Sequence, residues 1–235
     1  VIVGASAVII GVASVVLVAT NLGTSGVYFE FSSVVLDYVC TGVSVVLVGI
    51  VLSFAVRYKN LLAGALALVQ LVGALVLEFA FAHEVEVPLG LYFDSLSLLM
   101  AFIIGVIGSG ICVYALGYMR DFQAHEPEGA KDRRPLFFAL MFVFLSAMFV
   151  IVFSNNMMWM FTGWEVTTVC SFLLIGYTKT DEAIANAFRQ IIMNLAGGIG
   201  FLVALYVCAI QLETLSFVEF IMLGVADSAL VALAV

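Results

Sequence analysis

Long apolar runs separated by short polar connections make up most of the chain. A helix of about 20 residues crosses the roughly 30 Å of hydrocarbon in a bilayer, and nearly every run is at least about that long. The runs lie at 1–20, 33–56, 61–82, 92–118, 135–153, 156–178, 184–211 and 221–235. This pattern predicts an all-α fold, a polytopic transmembrane helix bundle with about seven full spans and the start of an eighth.

The composition agrees with this prediction and excludes several other classes. Hydrophobic residues make up 65% of the chain and charged residues 10%, and the mean hydropathy is +1.25. A soluble domain has about a quarter of its residues charged. An outer-membrane barrel would show alternating segments of about 10 residues instead of continuous runs. There is no basic stripe or patch, so we expect no nucleic-acid partner.

The lysines and arginines all fall on one side of the predicted helices. They lie in the connections after the second, fourth and sixth spans, or in the helix ends next to these connections. The residues are Arg57, Lys59, Arg120, Lys131, Arg133, Arg134, Lys179 and Arg189. The opposite connections, 21–32, 83–91 and 212–220, contain none and carry glutamates. We call the two ends of the bundle the basic face and the acidic face. The positive-inside rule predicts that the basic face is cytoplasmic.

One formal charge lies near the middle of a span. In "NNMMWMFTGWEVTTVCSFLLIGYT", residues 155–178, Glu165 is about nine residues from the start of its helix, or roughly 13 Å along it. Thr162 and Thr168 lie three residues away on either side, on the same helix face. A carboxyl at this depth is by default an ion-pathway group. The alternative is a protonated carboxyl that bonds these hydroxyls and holds helices together.

Four other carboxylates lie within about two turns of a predicted helix end, where we expect interfacial positions: Asp37, Glu78, Asp94 and Asp227. Asp94, in "LYFDSLSLLM", also favours the start of the fourth helix through the helix dipole. Arg189 lies near the basic-face end of the seventh span. The candidates for an ion pathway with Glu165 are therefore Thr162, Thr168, Asp94, Arg189 and Asp227. A relay carboxyl works with a cation that approaches and retreats, and the sequence supplies none at that depth.

Metal and cofactor sites are not predicted. The four cysteines, Cys40, Cys112, Cys170 and Cys208, stand singly within apolar runs, and no pair has the spacing of a metal or redox site. We expect small buried side chains at these positions and no bound metal or cofactor.

A series of motifs from about residue 88 to 224 carries a family resemblance. The segments, in order, are "YFDSLSLLM" (92–100), "YALGYMRDF" (114–122), "RPLFFALMFVFLSAMFVIVFSNNMMWMFTGWE" (134–165), "CSFLLIGYT" (170–178), "ANAFRQIIMNLAGGIGF" (185–201) and "LETLSF" (212–217). Together they resemble the antiporter-like subunits of respiratory complex I, Mrp-type cation/proton antiporters and energy-converting hydrogenases. Residues 1–87 share only hydrophobicity with that family. The expected organisation is therefore N-terminal transmembrane helices at 1–87 and an antiporter-like core at 88–235.

The resemblance implies a role for Glu165. In that family the "GWE" glutamate handles the proton of the first half-channel, together with a lysine two helices further along. This sequence ends before such a lysine, and we expect both termini to be incomplete. Where complex I members usually have "NRIGD-IGF", this chain has "NLAGGIGF", with Leu195 and Gly198 in place of the arginine and aspartate. This difference favours a hydrogenase-type membrane arm.

The functional hypothesis is an ion-translocating subunit of a redox-driven complex that moves protons, or else sodium ions, and performs no redox chemistry itself. Its expected partners are other membrane subunits and the lipid bilayer, and its expected location is an energy-transducing membrane, the prokaryotic plasma membrane. Two alternatives stay open: a stand-alone Mrp-type antiporter subunit, and a structural scaffold with an incomplete channel.

Overall fold

The computed structural model describes residues 2–21, 26–30, 33–80, 87, 89–125 and 132–226. The helices, in chain order, are α1 (Ile2–Asn21), α2 (Val34–Arg57), α3 (Leu61–Ala80), α4 (Ser95–Ala124), α5 (Arg134–Phe153), α6 (Met157–Ile175), α7 (Asp181–Val207) and α8 (Phe217–Ala226). The first seven are long and apolar enough to cross a membrane. The predicted all-α transmembrane bundle is therefore confirmed, and the chain is an integral membrane protein.

Two helix boundaries differ from the prediction. Helix α4 has 30 residues and is about 45 Å long, so it extends beyond the hydrocarbon. Arg120 consequently lies within its last turns and not in the connection after it. Helix α8 begins at Phe217, a turn before the predicted start, and Asp227 lies outside the described residues.

Helix α6 is at the centre of the bundle. It packs against α5, α7 and α2, and α3 packs against both α2 and α7; α1 packs on α4, at the periphery. Accordingly, 56% of the span that contains α6 is buried, compared with 11% of α1. The two helices α2 and α3, which lie before the predicted boundary near residue 87, are thus packed directly on the core. That boundary itself stays a prediction.

A short antiparallel ribbon joins two connections at the acidic face. Strand β1 (Val27–Phe29) pairs with β2 (Leu91–Phe93), with Val27 opposite Phe93. The rings of Tyr28 and Tyr92 lie 4.7 Å apart, centroid to centroid. Three residues per strand are too few for a detectable alternation, so the sequence did not predict this ribbon.

Two apolar clusters fill the core on either side of the bundle's middle. Towards the basic face, the cluster includes Val48, Val51, Ala67, Val169, Phe172 and Ile191. Towards the acidic face, the second cluster includes Ala74, Leu77, Phe161, Leu202, Leu205 and Leu215. Glu165 lies between the two clusters along α6. The middle of the bundle therefore holds a buried carboxyl between two apolar layers.

Candidate functional site

Glu165 is buried at the middle of α6. It is the ninth of the 19 residues of that helix, and its exposed fraction is 4%. The position along the helix and the burial agree with the prediction from the sequence. An ionised carboxylate in such a place must be hydrogen-bonded or neutralised, so its partners decide what it can do.

Both carboxyl oxygens of Glu165 have hydrogen-bond donors on neighbouring helices. The hydroxyl of Ser44, on α2, donates to Oε2. The amide Nε2 of Gln70, on α3, donates to Oε1 across 3.0 Å. Ser44 is 6% exposed and Gln70 2%. The threonines considered as partners do not fill this role: the hydroxyl of Thr162 donates to the carbonyl of Met158, and in the part of the chain that is described, no hydrogen bond joins Thr168 to the carboxyl.

Gly198, on α7, provides the space for the amide of Gln70. A Cβ placed on Gly198 would lie 2.6 Å from Oε1 of Gln70 and 3.1 Å from Nε2. The same Oε1 has no hydrogen-bond partner. The side-chain amide of Gln70 thus lies between α6 and α7, with its N–H group facing Glu165. Among the glycines of "NLAGGIGF", Gly198 is in close contact with Gln70 of α3, whereas Gly200 faces open space.

Glu165 has no cationic partner among the residues that the structure describes. The single ion pair within them joins Arg134 and Asp132, with an N–O distance of 2.7 Å. Arg189 is exposed on α7, with its guanidinium 3.5 Å from the side-chain oxygen of Asn186. It is therefore not part of the hydrogen-bonded group around Glu165.

A narrow crevice leads from Ser44 towards the acidic face. It lies between α2, α3 and α6, and its polar lining consists of Asp37, Cys40, Thr41, Ser44, Glu78 and Thr162. Its volume is about 20 Å³, room for about one water molecule. At the outer end, Nε1 of Trp159 donates to Asp37 Oδ1 across 2.7 Å. Two of the four predicted interfacial carboxylates, Asp37 and Glu78, thus line a crevice whose inner end is Ser44, the residue that donates to Glu165.

Towards the basic face, the same three helices present apolar side chains. One and two turns from the site, they place Val48, Val51, Ala67, Val169 and Phe172 in the core. The buried polar groups on this side lie between α6 and α7, where Nε2 of Gln190 is 3.5 Å from the backbone oxygen of Thr168. The surroundings of Glu165 are therefore asymmetric, with the polar contacts of α2 and α3 on the acidic side.

Two other predicted site residues are Asp94 and Asp227. Within the described residues, Asp94 takes no part in the hydrogen-bonded group around Glu165. Asp94 is the N-cap of α4: its Oδ1 accepts from the backbone N–H of Ser97 at 2.8 Å, and its own N–H donates to the Ser97 hydroxyl at 2.7 Å. This confirms the expected helix start. Asp227 lies outside the described residues, so its part in a pathway stays a prediction.

The described cysteines are unpaired, and three of the four are buried. Among the described residues, no group of three or more His, Cys, Asp or Glu side chains could hold a metal ion.

Sequence reasoning missed Ser44 and Gln70. Both are single uncharged polar residues within apolar helices, in "TGVSVVLVG" and "LALVQLVGA". A buried polar side chain in a membrane helix needs a partner on a neighbouring helix. That signal was available, but it does not say which helix holds the partner.

Two family models match parts of the chain. Residues 81–128 match the family model for the N-terminus of chain 5 of NADH-ubiquinone oxidoreductase (complex I). Residues 154–234, which include Glu165, match the model for the transmembrane region of NADH:quinone oxidoreductase and Mrp antiporters. The chain belongs to the complex I/Mrp antiporter superfamily. The family resemblance carried by the sequence motifs is thereby confirmed.

Individual relatives come from both branches of the superfamily. NADH-quinone oxidoreductase subunit L of Mycobacterium tuberculosis is 32% identical over 164 residues, which are 66% of this chain and 24% of the relative. Subunit L of Escherichia coli is 31% identical over 147 residues, 62% of this chain and 22% of the relative. The putative antiporter subunit mnhA2 of Staphylococcus epidermidis is 32% identical over 120 residues, 51% and 14% respectively. The chain therefore spans about a fifth of the length of its curated relatives.

Proposed function

We propose that this chain is part of an ion-translocating membrane subunit in which Glu165 carries the proton. The observation that carries the proposal is the carboxyl itself: it is 4% exposed at the centre of the bundle, and donors from two helices hold both of its oxygens. Ionisable groups at membrane depth are costly and mark ion pathways. The similarity to oxidoreductase subunit L and to an antiporter subunit supports the same function.

The hydrogen bond between Ser44 and Glu165 suits both protonation states of the carboxyl. A serine hydroxyl is both donor and acceptor. It donates to an ionised carboxylate and accepts from a protonated one, with the heavy atoms unmoved. Gln70 has one role only, because its Nε2 faces Glu165 and its Oε1 faces Gly198. Ser44 is therefore the partner through which a proton enters or leaves Oε2.

Protons fit this site better than sodium ions. A bound sodium ion needs several oxygen ligands around it, but each oxygen of Glu165 already accepts a hydrogen bond, and Gln70 faces the carboxyl with an N–H group instead of an oxygen. We infer that a lysine on a helix further along completes the site. When this cation approaches, it stabilises the ionised carboxylate, and when it retreats, it favours protonation. The movement of the cation thus couples the energy source to the proton.

The proposed setting is a redox-driven complex in an energy-transducing membrane, the prokaryotic plasma membrane, with the basic face in the cytoplasm. Other subunits of the complex perform the redox chemistry, and neighbouring membrane subunits transmit the energy. The hydrogenase-type arm suggested by Leu195 and Gly198 stays a prediction.

The test is the substitution Glu165→Gln in the intact assembly, reconstituted into proteoliposomes with a pH indicator inside. Glutamine keeps the size of the side chain and cannot carry the proton. We expect proton translocation to fall at least tenfold while the amount of assembled complex stays the same. The matched control is Glu213→Gln, an exposed glutamate after α7, which should translocate normally. Normal translocation by the Glu165 variant would refute the proposal.

The same preparation separates the alternatives. Translocation that needs NADH and quinone supports the redox-driven subunit, whereas translocation driven by a sodium gradient without an electron donor supports an antiporter. If Glu165→Gln instead removes the subunit from the assembly, Glu165 has the structural role of a scaffold contact.

A further inference from the structure

A pocket at the basic face lies between the ends of four helices. It is formed by the C-terminal turns of α2 and α6 and the first turns of α5 and α7, and its volume is about 240 Å³. It is on the opposite side of the bundle's apolar core from the crevice at the acidic face. The proton chemistry proposed for Glu165 does not use it.

Three cationic side chains line this pocket: Arg57, Arg133 and Lys179. None of them has a carboxylate partner within the described ranges, where the sole ion pair is Arg134–Asp132. Hydrogen bonds from Arg134 hold the pKa of the exposed Asp132 carboxyl at about 2. Asp132 is thus paired with Arg134, so it does not neutralise any of the three cations that line the pocket.

The two guanidinium groups are positioned by aromatic rings. The Nη1 atom of Arg133 donates to the carbonyl of Tyr177 across 2.9 Å, and its guanidinium carbon is 4.9 Å from the centre of the Tyr177 ring. The guanidinium of Arg57 is 5.9 Å from the ring of Tyr58. Stacking on a ring leaves the edge of a guanidinium free for bidentate hydrogen bonds, the geometry that phosphate groups accept.

The remaining lining of the pocket is apolar. It includes Phe54, Leu136, Leu140, Phe172 and Phe188. Leu136, in the pocket wall, is 53% exposed, and the apolar surface continues outside the pocket at Val56, which is 78% exposed. A phosphate alone would leave these walls without a partner, whereas a phosphate that carries acyl chains would cover them.

We propose that the pocket binds an anionic glycerophospholipid. Its phosphate lies between Arg57, Arg133 and Lys179, and its acyl chains begin against the phenylalanine and leucine walls and continue over the exposed apolar surface. Basic pockets between transmembrane helices on the cytoplasmic side are suited to such headgroups. One bound lipid would join α2, α5, α6 and α7 at the face where the bundle has its highest positive charge.

The test uses the intact assembly in nanodiscs of phosphatidylcholine, with and without phosphatidylglycerol. We expect phosphatidylglycerol to raise the unfolding temperature of the subunit and to be retained through delipidation, as measured by mass spectrometry. Each of Arg57→Gln, Arg133→Gln and Lys179→Gln should weaken lipid retention about fivefold. Arg189→Gln is the matched control, an exposed arginine that does not line the pocket, and should retain the lipid as the wild type does.

The outcomes separate a lipid site from other possibilities. Inorganic phosphate without lipid should give no stabilisation. If it stabilises the protein as much as phosphatidylglycerol does, the pocket is a free-anion site and the proposal is wrong. Equal retention by the wild type and all three pocket variants would also overturn it. Arg57 and Lys179 are exposed, so their single variants fold and keep the test decisive even if the Arg133 variant does not.

Discussion

The side-chain amide of Gln70 lies against the backbone of Gly198, where any larger residue would displace it. Because the carboxyl of Glu165 accepts a hydrogen bond from Nε2 of Gln70, the amide oxygen of Gln70 is the atom that faces Gly198 on α7. Leu195 and Gly198 are the two positions of "NLAGGIGF" at which the resemblance to complex I members is interrupted. Leu195 is buried in the apolar cluster towards the basic face. Beside Gly198 lies the amide of Gln70, which comes from α3.

Gly198→Ala should therefore lower stability and disturb Glu165. The added methyl would lie 2.6 Å from Oε1 of Gln70, and overpacking of this kind costs about 1–3 kcal/mol. Gly200→Ala is the control on the same helix, since its Cβ would have no neighbour within 4 Å. Thermal unfolding of both variants in the same detergent measures the difference. Equal unfolding temperatures would contradict the close approach of Gln70 to α7.

The crevice should carry protons between Glu165 and the acidic face. Asp37→Asn combined with Glu78→Gln removes both outer carboxyls, while the amide oxygen of asparagine can still accept the hydrogen bond from Trp159. We expect translocation to slow by roughly tenfold, since losing a proton-transfer group typically costs about 10²–10⁴ and water can replace part of it.

The effect should also depend on the side of the membrane. The titratable groups that face the crevice are Asp37 and Cys40 on α2 and Glu78 on α3, with Glu165 at its inner end. The double variant should lose the response to pH on the acidic face and keep the response on the basic face. Asp94→Asn, at the same face but outside the crevice and still able to cap α4, is the control. A loss of both responses would indicate general damage and would count against the route.

Asn155 should be a major contributor to stability at the acidic face. It is 2% exposed; its Nδ2 donates to the carbonyl of Leu89 at 2.8 Å, and its Oδ1 accepts from the N–H of Val218 at 3.0 Å. Asn155→Ala leaves both partners unsatisfied, at a cost of about 1–3 kcal/mol for each. Asn60→Ala, which loses one bond from Ala63, should cost about 1 kcal/mol. Denaturant or thermal unfolding of the two variants compares these losses, and similar values would disprove the prediction.

Much of the fold could be predicted because bilayer thickness sets the length of each helix. The seven spans, the depth of Glu165 and the cap at Asp94 all depend on positions along a single helix. Such positions follow from counting residues. The extension of α4 could not be predicted in this way, because its last turns are polar and lie beyond the hydrocarbon.

The hydrogen-bond partners of Glu165 depend on which faces of neighbouring helices meet. A transmembrane helix with apolar residues on nearly all of its faces does not show which face packs on which neighbour. Helix α2 illustrates this: Asp37, Thr41 and Ser44 recur at helical spacing and share one face, but the spacing does not say which neighbouring helix that face contacts. Thr162 and Thr168 were reasonable candidates because they share a helix face with Glu165. The structure shows that the donors come from across the interfaces with α2 and α3.

The β1–β2 ribbon makes the segment from Val27 to Phe93 a closed loop of chain, with its two ends held together by backbone hydrogen bonds. Helices α2 and α3 are the two sides of this loop, and the turn near Lys59 is its far end. Tying the ends of a segment reduces the conformational entropy that it would otherwise have. The donors Ser44 and Gln70 therefore lie on two helices that are connected at both faces of the membrane. We expect a motion that displaces one of them from Glu165 to displace the other.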